Sequence, residues 1–279
     1  MPDLLLWILV TGVGACVGSF LNVCVHRLPL RQSLVVPGSR CPACHAPIRW
    51  RDNIPVIGYL ILRGRCRACR EPIPIRYPLV EASTAALFAL LFATRGATPW
   101  FLLDAAFGAA LLVLILIDAR HQILPNVITL PGIALGLATA PLRARGTHLA
   151  GAASLGSTRD ALIGAALGYA IPWALNGLYG LWQRLRRVPA ARREDGIGRG
   201  DFKLLAMIGA FLGVRLMLFS LFVGALTGAL FGGALIAAGR CGWKSKLPYG
   251  VFLGGAALLA LFVGERWVAW YLRASGVGP

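Results

Sequence analysis

Charge is scarce in this chain, and acidic charge scarcest. Of 279 residues only 14% are charged, and Asp and Glu number 11 against 28 Lys and Arg. With 57% hydrophobic residues, that composition excludes an ordinary soluble domain. No basic segment precedes the first apolar run, Leu4 to Val25, and no obvious cleavage site follows it, so it reads as a retained helix and not as a signal peptide. The spacing of Gly196, Gly198 and Gly200 lacks the strand–helix context and the length of a phosphate loop, which removes a nucleotide-binding fingerprint. No internal repeat of fixed period is evident.

What the chain has in quantity is long apolar runs. Roughly 20 residues of helix cross the hydrocarbon of a bilayer, and runs that approach this length fall at 4–25, 79–94, 99–117, 127–142, 161–182, 204–214, 216–238 and 251–272. The fold expected is an all-α polytopic membrane protein of about eight transmembrane helices, with one small insertion after the first. The run 204–214 is short, which points to a tilted or broken helix, or to one that merges with the next across Arg215. Three domains follow: a first helix at 1–25, an insertion at 26–78 and a membrane domain at 79–279.

The net charge of +17 would suit a nucleic-acid partner, but its distribution gives a simpler account. The segments 26–78, 118–126, 183–203 and 239–249 hold 21 Lys and Arg, whereas the other loops hold 6. That is the positive-inside bias, with the basic loops cytoplasmic and both termini outside. Arg63, Arg65, Arg67 and Arg70 mark an inward-facing surface suited to anionic lipid head groups.

The insertion 26–78 carries Cys41-Pro42-Ala43-Cys44 and Cys66-Arg67-Ala68-Cys69, two C-x-x-C pairs separated by 21 residues. Each pair offers two thiolates to one ion, and Cys41, Cys44, Cys66 and Cys69 together complete a tetrahedral zinc site. A segment this small and this rich in Pro and Arg has little core, so metal binding would supply much of its folding energy. Two disulfides are the alternative, disfavoured in a reducing cytoplasmic loop. Cys16, Cys24 and Cys241 read as packing residues.

Two acids stand out where apolar runs begin or end. Asp201 follows the glycine-rich Gly196-Ile197-Gly198-Arg199-Gly200, whose glycines permit a sharp bend. Asp118 closes the run Phe101 to Ile117, ahead of Leu124-Pro125-Asn126. The topology puts both on the cytoplasmic face, where they can meet across a groove; a helix cap for Asp201 and two unrelated boundary charges are the plainer readings. Two carboxylates in contact share one proton, so that one member activates water while the other protonates the carbonyl oxygen and the leaving amine. Glu81 reads as a helix-dipole partner, Ser19 and Asn22 as helix-packing residues, and Asp104 has no role.

Taken together these stretches resemble the type IV prepilin peptidases, the bifunctional leader peptidase and N-methyltransferase family. The resemblance rests on the GSFLNV…RLP opening at 18–29, the two cysteine pairs, Ile54-Pro55-Val56, Tyr77-Pro78 with Glu81, Asp118…Leu124-Pro125 through Thr129, and Gly198-Arg199-Gly200-Asp201-Phe202-Lys203. It implies that Asp118 and Asp201 are the catalytic pair of a membrane aspartic endopeptidase, and that the four cysteines hold structural zinc. It also implies cleavage after a glycine in prepilins or type II secretion pseudopilins at the cytoplasmic face of the inner membrane. Methylation of the new N-terminus from S-adenosylmethionine comes from the resemblance alone. Asn126 stands where Asp often follows Leu-Pro, and Val251 where Pro often follows the Tyr-Gly pair; both bear on substrate preference rather than on peptidase chemistry. Two rivals differ in kind. A proton- or ion-coupled transporter needs acids near mid-membrane, and a scaffold or nucleic-acid reader built on the cysteine pairs needs more aromatic residues than this insertion has. A nucleic-acid partner is therefore not expected, the lipid bilayer is, and the sequence leaves the oligomeric state open.

Overall fold

The computed structural model describes residues 2–146, 158–189, 191, 193, 195–240, 242 and 247–276. Most of the loop 143–160, parts of the loops 183–203 and 239–249, and Cys241 lie outside the described residues. The elements are helical throughout: α1 (Pro2–Arg27), a short α2 (Ile57–Ile61), α3 (Arg76–Arg95), α4 (Pro99–His121), α5 (Asn126–Gly146), α6 (Thr158–Leu185), α7 (Arg199–Ala237), α8 (Tyr249–Leu259) and α9 (Glu265–Ala274), the last two joined by a π turn at Ala260–Gly264. Among the described residues β-structure is limited to two isolated bridges, Arg40 with Pro47 and Arg65 with Pro72.

Six helices among the described residues are long and apolar enough to cross a membrane: α1, α3, α4, α6, α7 and the α8–α9 segment. Against the eight expected spans, 204–214 and 216–238 fall in two helical segments of α7 that meet at a non-helical residue, Gly213, and 127–142 lies in α5, outside those six. The sequence offered a tilted or broken helix, or a merger across Arg215; the helix is broken at Gly213, whose φ of 77° is a conformation glycine tolerates best. Asp160, in the first turn of α6, receives the Val214 N–H at 3.2 Å, so the second half of α7 begins with a capped amide.

The chain divides into two compact units, Met1–Val113 and Leu114–Pro279. In the first, α1 packs along α3. Asn22 Nδ2 donates to the Tyr77 carbonyl at 3.1 Å, which ties the end of α1 to the start of α3. Asp104, assigned no role from sequence, is almost fully buried and pairs with Arg95 at 2.9 Å. In the second unit the first half of α7 is the buried centre: Leu204, Leu205, Met207 and Ile208 have essentially no exposed surface. Its partner α6 presents a strip of small residues, Ala161, Gly164, Ala165 and Gly168, that lets the two backbones touch. A Cβ on Gly168 would sit 2.5 Å from the Leu205 carbonyl oxygen.

Candidate active site and four-cysteine cluster

Asp118 lies in the last turn of α4 and Asp201 is the third residue of α7. Both are buried, at 5% and 9% exposure. They come from positions far apart in sequence, yet both belong to the second unit, and the Leu124 side chain lies against both Gly200, next to Asp201, and Gly250, which abuts Asp118. The glycine turn ahead of Asp201 is held by a mid-helix residue that carries no local sign of this task. Asn176 of α6 accepts the Gly196 and Ile197 amides on one oxygen, at 2.7 and 3.3 Å.

The glycines of that turn are needed for space and not for unusual dihedrals. Gly198 has φ −65°, and neither Gly196 nor Gly200 is among the left-handed residues. A Cβ on Gly198 would meet Asp201 Oδ2 at 3.0 Å, and one on Gly200 would meet Leu124 Cβ at 3.0 Å. The expectation of a conformationally special bend is thus replaced by close approach: side chains here would fill the room beside the Asp201 carboxylate and the Leu124 wall.

The start of α8 completes the surroundings. Val251 N–H donates to Asp118 Oδ2 at 3.1 Å, and a Cβ on Gly250 would lie 2.8 Å from the same oxygen. Tyr249 stands within electrostatic reach of Asp201. Lys203 Nζ donates to Asn126 Oδ1 at 2.7 Å and links the first turns of α7 and α5. The only sequence signal for the α8 contribution is the Pro248-Tyr249-Gly250 turn before an apolar run. Three helix ends and one loop therefore converge on two carboxylates, an arrangement that can hold and polarise a water molecule between acids.

The four cysteines of the first unit also come together. Their sulfurs all lie within 4.8 Å of one another, with Cys41 to Cys69 at 3.7 Å and Cys44 to Cys66 at 3.9 Å. These are unbonded separations, so the two-disulfide alternative does not describe the cluster. Four thiolates at ~2.3 Å around a tetrahedral zinc have sulfurs ~3.8 Å apart, so the donor set fits that ion. Backbone amides of Cys69 and Ala68 hold the Cys66 thiol down to about 6, whereas, against the Glu71 amide, burial and the neighbouring sulfurs push the Cys69 thiol up to about 12, so the two lose their protons in succession.

The two knuckles are copies of one another. Arg40-Cys41-Pro42-Ala43-Cys44-His45-Ala46-Pro47-Ile48 and Arg65-Cys66-Arg67-Ala68-Cys69-Arg70-Glu71-Pro72-Ile73 share the pattern R-C-x-A-C-x-x-P-I. Each is closed by its Arg–Pro bridge, and His45 and Arg70, at equivalent positions, both have positive φ. The copies are nine residues long and occur twice, a local duplication and not a repeat architecture of fixed period. Glu81 is also reassigned. It does not sit in the first turn of α3; its Oε2 accepts the Val56 N–H at 2.7 Å and pins the insertion to that helix.

Comparison with known proteins places this geometry. The bacterial peptidase A24 N-terminal domain matches residues 13–95, and the type IV leader peptidase family matches residues 105–233. A prepilin leader peptidase/N-methyltransferase of Burkholderia pseudomallei is 38% identical over 90% of this chain and 84% of its own length. The chain belongs to the prepilin leader peptidase/N-methyltransferase family. Relatives of the same description from Pseudomonas aeruginosa, 36% identical over 95% of this chain and 92% of their sequence, and from Aeromonas hydrophila, 37% identical over 92% and 90%, match as extensively. No solved structure matches. As a member of this bacterial family with six membrane-length helices, the chain is a multi-pass membrane protein.

Proposed function

We propose that this chain is a membrane aspartic endopeptidase that removes the leader of prepilins and type II secretion pseudopilins after a glycine and then methylates the new N-terminus, with Asp118 and Asp201 as the hydrolytic pair. The observation that carries the reading is the burial of two carboxylates at helix ends in one compact unit, with Leu124 against the glycines beside both. One carboxylate takes a proton from a water molecule as the oxygen attacks the scissile carbonyl. The other, protonated, donates to the carbonyl oxygen to give a diol; as the diol collapses this second carboxylate takes a proton back from a hydroxyl while the first passes the proton it took from water to the departing amine, so the C–N bond breaks and the pair is left with its single shared proton. The Val251 amide and the close approach of Gly250 orient Asp118, while Asn176 fixes the turn that carries Asp201. Membrane acids of a coupled transporter belong near mid-membrane; here they end helices, which favours surface chemistry on a precursor anchored by its own apolar helix.

In this reading the basic loops and the acid pair face the cytoplasm from the inner membrane, in keeping with the charge bias. Residues 1–25 form the first membrane helix, 26–78 the four-cysteine domain and 79–279 the peptidase domain. Cys41, Cys44, Cys66 and Cys69 would hold one zinc ion, which when bound supplies a cross-link between the two knuckles in place of a core. S-adenosylmethionine is the co-substrate of the methyl transfer, and among the described residues nothing singles out its seat. The test is incubation of the purified protein with a precursor peptide bearing a glycine ahead of an apolar segment, read by mass. Cleavage after the glycine, and a further methyl group only when S-adenosylmethionine is added, are expected. An intact precursor would remove the assignment.

A further inference from the structure

The insertion exposes apolar side chains that a cytoplasmic loop has no reason to show to water. Ile54, Ile57, Leu60 and Ile61 are 37, 53, 66 and 63% exposed. Ile57, Leu60 and Ile61, spaced by three and four residues, share one side of α2, and Ile54 precedes them in extended backbone. Exposed arginines flank the strip at both ends, Arg49 and Arg51 before it and Arg63 and Arg65 after it. Across 26–78 there are ten Lys and Arg against only Asp52 and Glu71.

The position of this strip is fixed by hydrogen bonds to the membrane helices. Val56, the residue just before α2, gives its N–H to Glu81. Glu81 is the sixth residue of α3, roughly 8 Å along the axis at 1.5 Å per residue, and α3 is one of the six membrane-length helices. Asn22 on α1 holds the start of α3 from the other side. The start of α2 is thereby tied to the second turn of a membrane-length helix, and it cannot swing away without leaving the buried Glu81 carboxylate without the amide it accepts.

We propose that α2 lies in the membrane interface, with Ile54, Ile57, Leu60 and Ile61 among the acyl chains of an anionic bilayer and Arg49, Arg51, Arg63 and Arg65 on its phosphates. An apolar helix face bordered by arginines is what an interfacial anchor requires: the side chains enter the acyl boundary while guanidinium groups stay with the head groups. The four-cysteine cluster is then attached to the membrane at three places, through α1, α3 and the α2 strip. The inference rests on the reading of α1 and α3 as membrane spans, and it is independent of the chemistry assigned to Asp118 and Asp201.

The test uses the full-length protein in lipid nanodiscs, of phosphatidylcholine alone or with phosphatidylglycerol added, and amide hydrogen exchange of residues 57–65. Exchange is expected to slow roughly tenfold or more when the anionic lipid is present, and high salt should reverse much of the change. The double variant Leu60→Ser/Ile61→Ser should lose the slowing while keeping its metal content, which reports that the cluster is folded. Equal exchange in the two lipid compositions, or equal slowing in the double variant, would overturn the proposal. So would protection that appears in detergent and grows with protein concentration, which would mean a second copy covers the strip, or protection that requires an added precursor peptide. None of these results alters precursor cleavage as evidence for the peptidase, and the protein's entry into nanodiscs reports its spans separately.

Discussion

The contact between α6 and α7 sets where Asp201 stands, and one methyl group tests it. Replacing Gly168 by Ala puts a Cβ 2.5 Å from the Leu205 carbonyl oxygen and 2.8 Å from its carbon. Ordinary contact begins at 3.4 Å, so α6 and α7 must separate locally by about 0.9 Å, because backbone cannot rotate out of the way as a side-chain tip can. Overpacking of this kind costs about 1–3 kcal/mol. Leu205 is one turn beyond Asp201, and a displacement near 1 Å in a catalytic constellation can lower turnover by about 10²-fold. Gly177 on the same helix supplies the control, since nothing lies within 4 Å of a Cβ there; Gly177→Ala should be neutral or stabilising by about 0.5–1 kcal/mol through helix propensity. Thermal unfolding in detergent and initial rates of precursor cleavage read both effects. If Gly168→Ala melts with the wild type and cleaves as fast, the account of how α6 positions α7 is wrong.

Gly213→Ala should destabilise more than Gly168→Ala, because the residue has φ 77° and its Cβ would clash with the Asp160 carboxylate that caps Val214; a lower melting temperature than either other variant checks this. Cys44→Ser, or a strong chelator, should remove about one zinc per chain and raise protease susceptibility within 26–78 without extracting the protein from the membrane; metal analysis and limited proteolysis read the two results. Asp52 accepts two hydrogen bonds from Arg67, at 2.8 and 2.6 Å, which hold its carboxyl below the usual aspartate range. A group so lowered stabilises the fold at all pH values above the ordinary aspartate value, near 3.9, and the contribution disappears as pH falls through the lowered one. Protection factors around Trp50–Asn53, taken relative to the intrinsic exchange rate at each pH, should therefore be flat near neutrality and fall only in strong acid, whereas Asp52→Asn should remove that acid limb.

Much of the plan is visible in the sequence because it depends on local patterns. Apolar length marks the helices, arginine counts separate the loops, and a C-x-x-C pair states its chemistry within four residues. Asp118 and Asp201 are legible as helix-end acids, since each stands beside residues that break the apolar run. What escapes is whatever depends on which backbone lies opposite. Gly164, Gly168 and Gly209 look like any small residues in a membrane helix until α6 and α7 are face to face. The break in α7 is at Gly213 and not at the charged Arg215, because a glycine opposite Asp160 can adopt a conformation that charge alone does not demand. Asn176, in mid-helix, has no local signature of the turn it holds across 20 residues of chain. Glu81 resembles a dipole partner in sequence, yet its partner is an amide 25 residues earlier.

The central claim is that the two buried acids work as one unit, and single-turnover cleavage of a precursor peptide by Asp118→Asn, Asp201→Asn and the double variant measures it. Each single change should abolish cleavage as completely as the double change, with each purified variant still membrane-inserted and melting close to the wild type, because groups that share one proton have no separable halves. Substantial cleavage by either single variant would contradict the account.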